Sequence, residues 1–243
     1  NIKNHNIVYI NFSLLEFEQL NEYHKLNDYI ESKYIQNKNN FVLIDEVQMC
    51  NGFERTINSL HASEKYDIYV TGSNAFLLSS DLATLFTGRT FEIEIFPFSF
   101  EEYLKYYQYK DIDLAFDKFV LDGGMAGSYL YKNEEKRYNY ILDVYKTLIV
   151  RDINEKYNIK NNELLDNLTN FMMDNISNIT SVRNITNSLN KFDNTLNHKT
   201  IGSYIQYLCD AFLFYKVKRY DIQGKRYLES LDKYYLVDQT FKY

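Results

Sequence analysis

Apolar and polar positions change their period twice along the chain. The run Ile7-Val8-Tyr9-Ile10-Asn11-Phe12 is mostly apolar and β-branched, which predicts a strand. Phe17, Leu20, Tyr23, Leu26, Ile30 and Tyr34 then recur at steps of three and four, the period of an amphipathic helix. After the polar stretch Asn37-Lys38-Asn39-Asn40, the run Phe41-Val42-Leu43-Ile44 is continuously apolar and stops at Asp45-Glu46. Such a run reads as a central strand of a parallel sheet, covered on both faces. Phe53, Ile57 and Leu60 predict a short helix, 67–71 a strand, and Leu77 to Phe86 a helix that stops at Gly88, a left-handed C-terminal cap. Phe91 to Ile95 alternates apolar and acidic residues, as a strand near a sheet edge does. This strand–helix alternation predicts an open parallel α/β sheet over residues 1–96.

The pattern turns helical after Pro97, the single proline. Ser99 and Glu102 have the spacing of a capping box for a helix through Tyr107, and further helical signals cover 113–121 and 134–150. Between those two lies the turn Gly123-Gly124-Met125-Ala126-Gly127. Residues 97–155 form this helical linker or lid segment. From 156 to 243 the order is three helices (163–174, 181–190, 200–211), a strand at 212–218, a turn at 221–225 and a strand at 233–237. Three helices followed by a β-hairpin describe a winged helix. No segment repeats at a fixed period.

With 243 residues and 45% hydrophobic composition the chain can bury a sizeable core, which excludes a disordered class. The formal net charge of −6 argues against a surface that coats nucleic acid or anionic membrane throughout. Two cysteines make no disulfide framework, four scattered histidines offer no zinc spacing, and no apolar run approaches the ~18 residues of a spanning helix. A reducing, cytoplasmic location is the default expectation. The charge is uneven: residues 1–150 hold 14 Lys+Arg against 22 Asp+Glu, and 151–243 hold 13 against 11.

The sharpest chemical signal is the strand ending in Asp45-Glu46. Ligands of open α/β sheets bind at the carboxyl ends of strands. Adjacent carboxylates there suit nucleotide hydrolysis, Asp45 holding Mg²⁺ through its water shell and Glu46 acting as general base on the attacking water. Alone, the pattern also fits a buried strand that ends in a polar loop. Ser73 and Asn74 follow the next strand and have two compatible uses, sensing the γ-phosphate or its water and capping the helix that follows. Arg89 either reaches the phosphates of a neighbouring subunit in a homo-oligomer or pairs with Glu92 or Glu94.

In order, Leu43-Ile44-Asp45-Glu46-Val47-Gln48, Thr71-Gly72-Ser73-Asn74, Gly88-Arg89-Thr90 and Phe96-Pro97-Phe98-Ser99-Phe100-Glu101-Glu102-Tyr103 resemble the prokaryotic AAA-type P-loop ATPases with a C-terminal domain of unknown function. Gly123-Gly124-Met125, Thr147 to Ile153, Thr200 to Leu208 and Lys233 to Asp238 resemble the later parts of the same family. The resemblance implies an ATP-binding, Mg²⁺-dependent protein with Asp45 and Glu46 as its acidic motif, Ser73 and Asn74 as its sensor region and Arg89 as its Gly-Arg motif.

One departure is decisive. A phosphate-binding loop requires G-x-x-x-x-G-K-[S/T], and the lone Gly-Lys pair, Gly224-Lys225, has Arg at 219 and Arg226 after it. The family places that loop and its strand just before Ile7, so the chain is expected to be a truncated piece of the ATPase, with weak or no ATP binding of its own. The absent strand belongs between the 67–71 and 91–95 strands. Those two are expected to close on each other or to pair with another chain. The competing expectation is a DNA- or protein-binding module. Lys199, Ser203 and Gln206 lie on the polar side of the recognition helix, and Lys216, Lys218, Arg219, Lys225 and Arg226 cluster with Tyr215, Tyr220 and Tyr227 in the wing.

Overall fold

The computed structural model describes residues 4–72, 88, 90–190, 196–218 and 231–242, with the backbone alone at 150–152 and 155. The chain divides into two compact units, Asn1–Glu92 and Ile93–Tyr243.

In the first unit β1 (His5–Asn11), α1 (Tyr23–Ser32), β2 (Asn39–Asp45), α2 (Phe53–Ala62) and β3 (Tyr66–Val70) alternate. The strands form a three-stranded parallel sheet in the order β1-β2-β3. Ile10 pairs with Ile44 and Ile44 with Val70, so the carboxyl ends of the strands are level. Alternate residues Val8, Ile10, Val42 and Ile44 share one core with Leu26 and Ile30 of α1 and Phe53, Ile57 and Leu60 of α2. Burying each large side chain contributes about 1.5–3 kcal/mol. The opposite face of β1 is open, Ile7 being 61% and Tyr9 51% exposed.

The helical period from Phe17 to Tyr34 resolves into a 3-10 helix, Leu15–Leu20, and α1. The break has a backbone cause. Asn51 N donates to Asn21 O at 2.7 Å and Tyr23 N donates to Asn51 O at 3.0 Å, which holds Glu22 extended between the two helices.

The expectation of a strand at 91–95 is corrected. Those residues adopt no strand, and Phe91, Ile93 and Ile95 are 89%, 65% and 83% exposed. Alternation by two suits a half-buried strand but does not make one; the backbone also needs a ladder partner. Among the described residues the sheet ends at β3, so the expected closure of 67–71 on 91–95 does not occur. The helix expected over 77–86 lies outside the described residues.

The second unit is helical before it is extended: α3 (Phe100–Tyr107), α4 (Ile112–Asp122), α5 (Glu134–Thr147), α6 (Asn162–Asp174), α7 (Val182–Leu189) and α8 (His198–Asp210) precede the antiparallel pair β4 (Phe214–Lys218) and β5 (Asp232–Leu236). Each helix starts where a short polar side chain can take up a free N–H. Ser99 and Glu102 form the reciprocal capping box of α3. Asp111, Asn133, Asn161, Ser181 and Asn197 cap α4 to α8. α5 does not stop at 150 but runs on as a π-helix, Leu148–Glu155. Ile149 and Ile153 of that segment join Leu165, Leu168, Ile185, Ile201, Leu208 and Phe214 in one core. Met172 and Met173 fill it, 2% and 5% exposed.

Three separated motifs meet in this unit. Gly123 ends α4 with φ 69°, and Phe98 N donates to Gly124 O at 2.7 Å. Gly124 N donates to an Asp238 carboxylate oxygen at 2.6 Å. The other Asp238 oxygen accepts from Thr240 N at 2.9 Å and from the Thr240 hydroxyl. A Cβ at Gly124 would stand 2.4 Å from the Phe98 carbonyl oxygen, so the turn requires glycine. No helix among the described residues is long and apolar enough to cross a membrane.

Candidate active site

The register of the parallel sheet builds the site. Because Ile44 is level with Val70, the next residues on the two strands, Asp45 and Thr71, become neighbours at the carboxyl end. The Thr71 hydroxyl donates to Asp45 Oδ1. The backbone continues the ladder: Thr71 N donates to Ile44 O at 2.8 Å, Val47 N to Thr71 O at 3.0 Å, and Phe12 N to Asp45 O at 3.2 Å. Asp45 is thus held from both neighbouring chain segments.

Glu46 leaves the strand abruptly. It sits at φ 55°, ψ 45°, in the left-handed region, and starts the 3-10 turn Val47–Met49. For a residue with a Cβ this conformation costs about 1–2 kcal/mol. The turn is held by the Val47–Thr71 bond and by burial of the Val47 side chain, which is 0% exposed. Gln48 Nε2 donates to Glu46 Oε2 at 2.5 Å. Gln48 Oε1 is buried and has no hydrogen-bond partner among the described residues. Asp45 with Thr71 and Glu46 with Gln48 thus make two hydrogen-bonded side-chain pairs where the central strand ends. Of these four residues, the sequence pattern marks only the two carboxylates for a chemical role. Thr71 was detectable as the residue that follows the last apolar position of the neighbouring strand, but only with the register known. Nothing in the spacing marked Gln48.

Ser73, Asn74 and Arg89 lie outside the described residues. Cys50, close in sequence to the acidic turn, is buried. Burial first, and then the carboxylates of Glu22 and Glu54, push its thiol up to about 12, away from the thiolate form that reactive cysteines use.

Asp45 and Thr71 offer hard oxygen donors, which fit Mg²⁺, an ion that keeps most of its waters and needs few protein ligands. Among the described residues no three His, Cys, Asp or Glu side chains converge to hold a metal by themselves. No G-x-x-x-x-G-K-[S/T] run occurs in the 243 residues, so they hold no P-loop cradle for ATP phosphates.

The second unit carries the other set of candidate residues. Lys199, Ser203 and Gln206 are exposed along α8, and Gln206 Nε2 donates to Asp210 at 2.7 Å. Lys218 is exposed at the end of β4. Lys216 pairs with Asp232 across the hairpin at 2.8 Å, which neutralises one of the charges expected to face a phosphate backbone. Arg219, Lys225 and Arg226 lie outside the described residues.

Comparison with known proteins adds the family context. Residues 1–104 match the family model of an AAA domain, and residues 113–241 match that of a Domain of unknown function (DUF8612). The chain is similar to an uncharacterized protein of Haemophilus influenzae, 33% identical over 246 residues, covering 99% of this chain and 61% of that one. It is also similar to an uncharacterized protein of Methanocaldococcus jannaschii, 26% identical over 252 residues, covering 97% of this chain and 55% of that one. It therefore spans about three fifths of the length of these relatives. Among solved structures, the Walker-type ATPase of Pyrococcus abyssi matches with a TM-score of 0.51 at 15% identity, over 90% of this chain and 65% of that one. At that identity the likeness is one of fold: an α/β protein whose parallel three-stranded sheet resembles those of P-loop ATPases.

Proposed function

The chain belongs to the family defined by the Domain of unknown function (DUF8612), with an AAA-type ATPase-like domain over residues 1–104, and on that premise we propose that it is part of an ATP-hydrolysing protein whose acidic motif is Asp45-Glu46. The observation that carries the reading is the pair of adjacent carboxylates at the carboxyl end of the central strand, one fixed by Thr71 and the other set on a strained left-handed turn. Strain of this kind concentrates at functional sites.

In this reading Asp45 orients the water shell of Mg²⁺, with Thr71 fixing the carboxylate. Glu46 accepts a proton from the attacking water as its oxygen bonds to the γ-phosphorus and the bond from that phosphorus to the bridging oxygen of ADP breaks. When bound, Mg²⁺ supplies charge neutralisation at the phosphates. Ser73, Asn74 and Arg89 enter this reading from sequence alone, as sensor residues and as an arginine acting across a subunit boundary. Hydrolysis needs a phosphate cradle, and it has to come from outside these 243 residues.

Steady-state ATP turnover by the whole protein tests the proposal. Glu46→Gln is expected to lower kcat by about 100-fold or more, the scale of a lost general base, while Mg-ATP binding persists. Wild-type protein without turnover, or a Glu46→Gln variant as fast as wild type, would falsify the reading.

A second reading is favoured by one observation: Lys199, Ser203 and Gln206 form an exposed row on α8, in a unit where three helices precede a hairpin. We propose that this row and Lys218 contact DNA as a winged helix does. Binding of a short duplex should then fall steeply with salt, and Lys199→Ala with Lys218→Ala should flatten that slope by about 2. No duplex binding at low salt excludes it.

A further inference from the structure

We propose that Gln48 is a positioning residue whose side-chain amide holds the Glu46 carboxylate at the strand end. The inference rests on the reading of Glu46 as a base.

A glutamate on a turn has three rotatable bonds, and freezing such a side chain costs up to about 2 kcal/mol. A general base acts only within hydrogen-bond reach of the proton it takes. The backbone of the turn is already fixed by Val47 N on Thr71 O at 3.0 Å, but that bond leaves the Glu46 carboxylate to swing. Gln48, two residues on in the same 3-10 turn, supplies the missing restraint by donating to Glu46 Oε2.

The amide's own balance shows which contact orients it. Its carbonyl oxygen is buried without a partner among the described residues, so the amide is held through its NH₂ end. Turning the amide over would set a carbonyl against a carboxylate, two acceptors with no proton between them. The only orientation that gives Glu46 a donor is the observed one. The plainer alternative is a contact that merely satisfies the turn. It predicts that Gln48 affects stability and nothing else.

Two measurements on the whole protein test the inference, the first for the contact itself and the second for its separation from that alternative. The first is the Gln48 side-chain amide ¹H–¹⁵N signal, identified by its loss in Gln48→Leu. It should shift and exchange faster with water in Glu46→Ala; an unmoved signal overturns the inference without reference to ATP. The second is turnover against Mg-ATP concentration. Gln48→Leu should lose about tenfold or more in kcat with KM unchanged, the scale on which groups behind a functional residue act. Should Gln48→Leu fail to fold, the near-isosteric Gln48→Glu, which sets two carboxylates together, carries the same expectation. Turnover that falls in Glu46→Gln but is untouched in the Gln48 variants overturns this inference alone. Wild-type protein without turnover overturns the hydrolase reading and this inference with it.

Discussion

Asp238 is 2% exposed and yet accepts hydrogen bonds from Gly124 N, Thr240 N and the Thr240 hydroxyl. A buried carboxylate is tolerable only with such partners. Truncation leaves those donors without an acceptor in a site that water barely reaches. Asp238→Ala is therefore expected to destabilise the second unit by roughly 3 kcal/mol, read from the urea midpoint. Gly124 constrains the same knot sterically. In Gly124→Ala the new methyl meets the Phe98 carbonyl backbone, which cannot swing aside as a side chain would. A loss of about 1–3 kcal/mol or more is expected in the same measurement. The Gly-Gly turn, the Phe98-Ser99 step and Asp238 were each visible in the sequence as fragments of a resemblance. That they touch was not, because the contact from Gly124 to Asp238 spans 114 positions and leaves no periodic trace.

At the scale of elements, local chemistry set most boundaries. The Ser99–Glu102 box holds the Glu102 carboxyl below its ordinary range, chiefly through the Ser99 N–H, then the Ser99 hydroxyl and Lys105. A depressed carboxyl contributes stability above its unfolded value and loses it as pH falls through the folded one. Glu102→Ala should thus melt below wild type at neutral pH, and the gap should close on acidification. The group is fully exposed, so the effect is small. Helices with such caps were legible to within two residues, as at Asn161, Ser181 and Asn197. Elements governed by distant partners were not. The Asn51 backbone, 30 positions away, splits the helix predicted across Asn21. The alternation Phe91-Glu92-Ile93-Glu94-Ile95 promised a strand, and no described neighbour completes it. The acidic site divides in the same way. Its two carboxylates end an apolar run and could be read directly, while the supports they receive from Thr71 and Gln48 depend on strand register and turn geometry.

At the scale of the whole molecule, the described residues build one large core on the parallel sheet and its helices and another on α5 to α8 and the hairpin. Chains with more than one core depart from a single all-or-none transition. Leu26→Ala and Leu168→Ala remove side chains that are each 0% exposed, one in either core. Each is expected to cost about 2–5 kcal/mol, and calorimetry should show the two variants lowering different transitions. A single transition shifted equally by both would show the cores to be one cooperative system.

That division has a spectroscopic consequence. The sequence contains 24 tyrosines and no tryptophan. Selective excitation of a single indole, put in place of Phe53 in one core or Phe241 in the other, would make it the only emitter against a dark background. Each variant would then report the melting of its own half, so that nucleotide or duplex added to the sample could be assigned to the half whose fluorescence it changes.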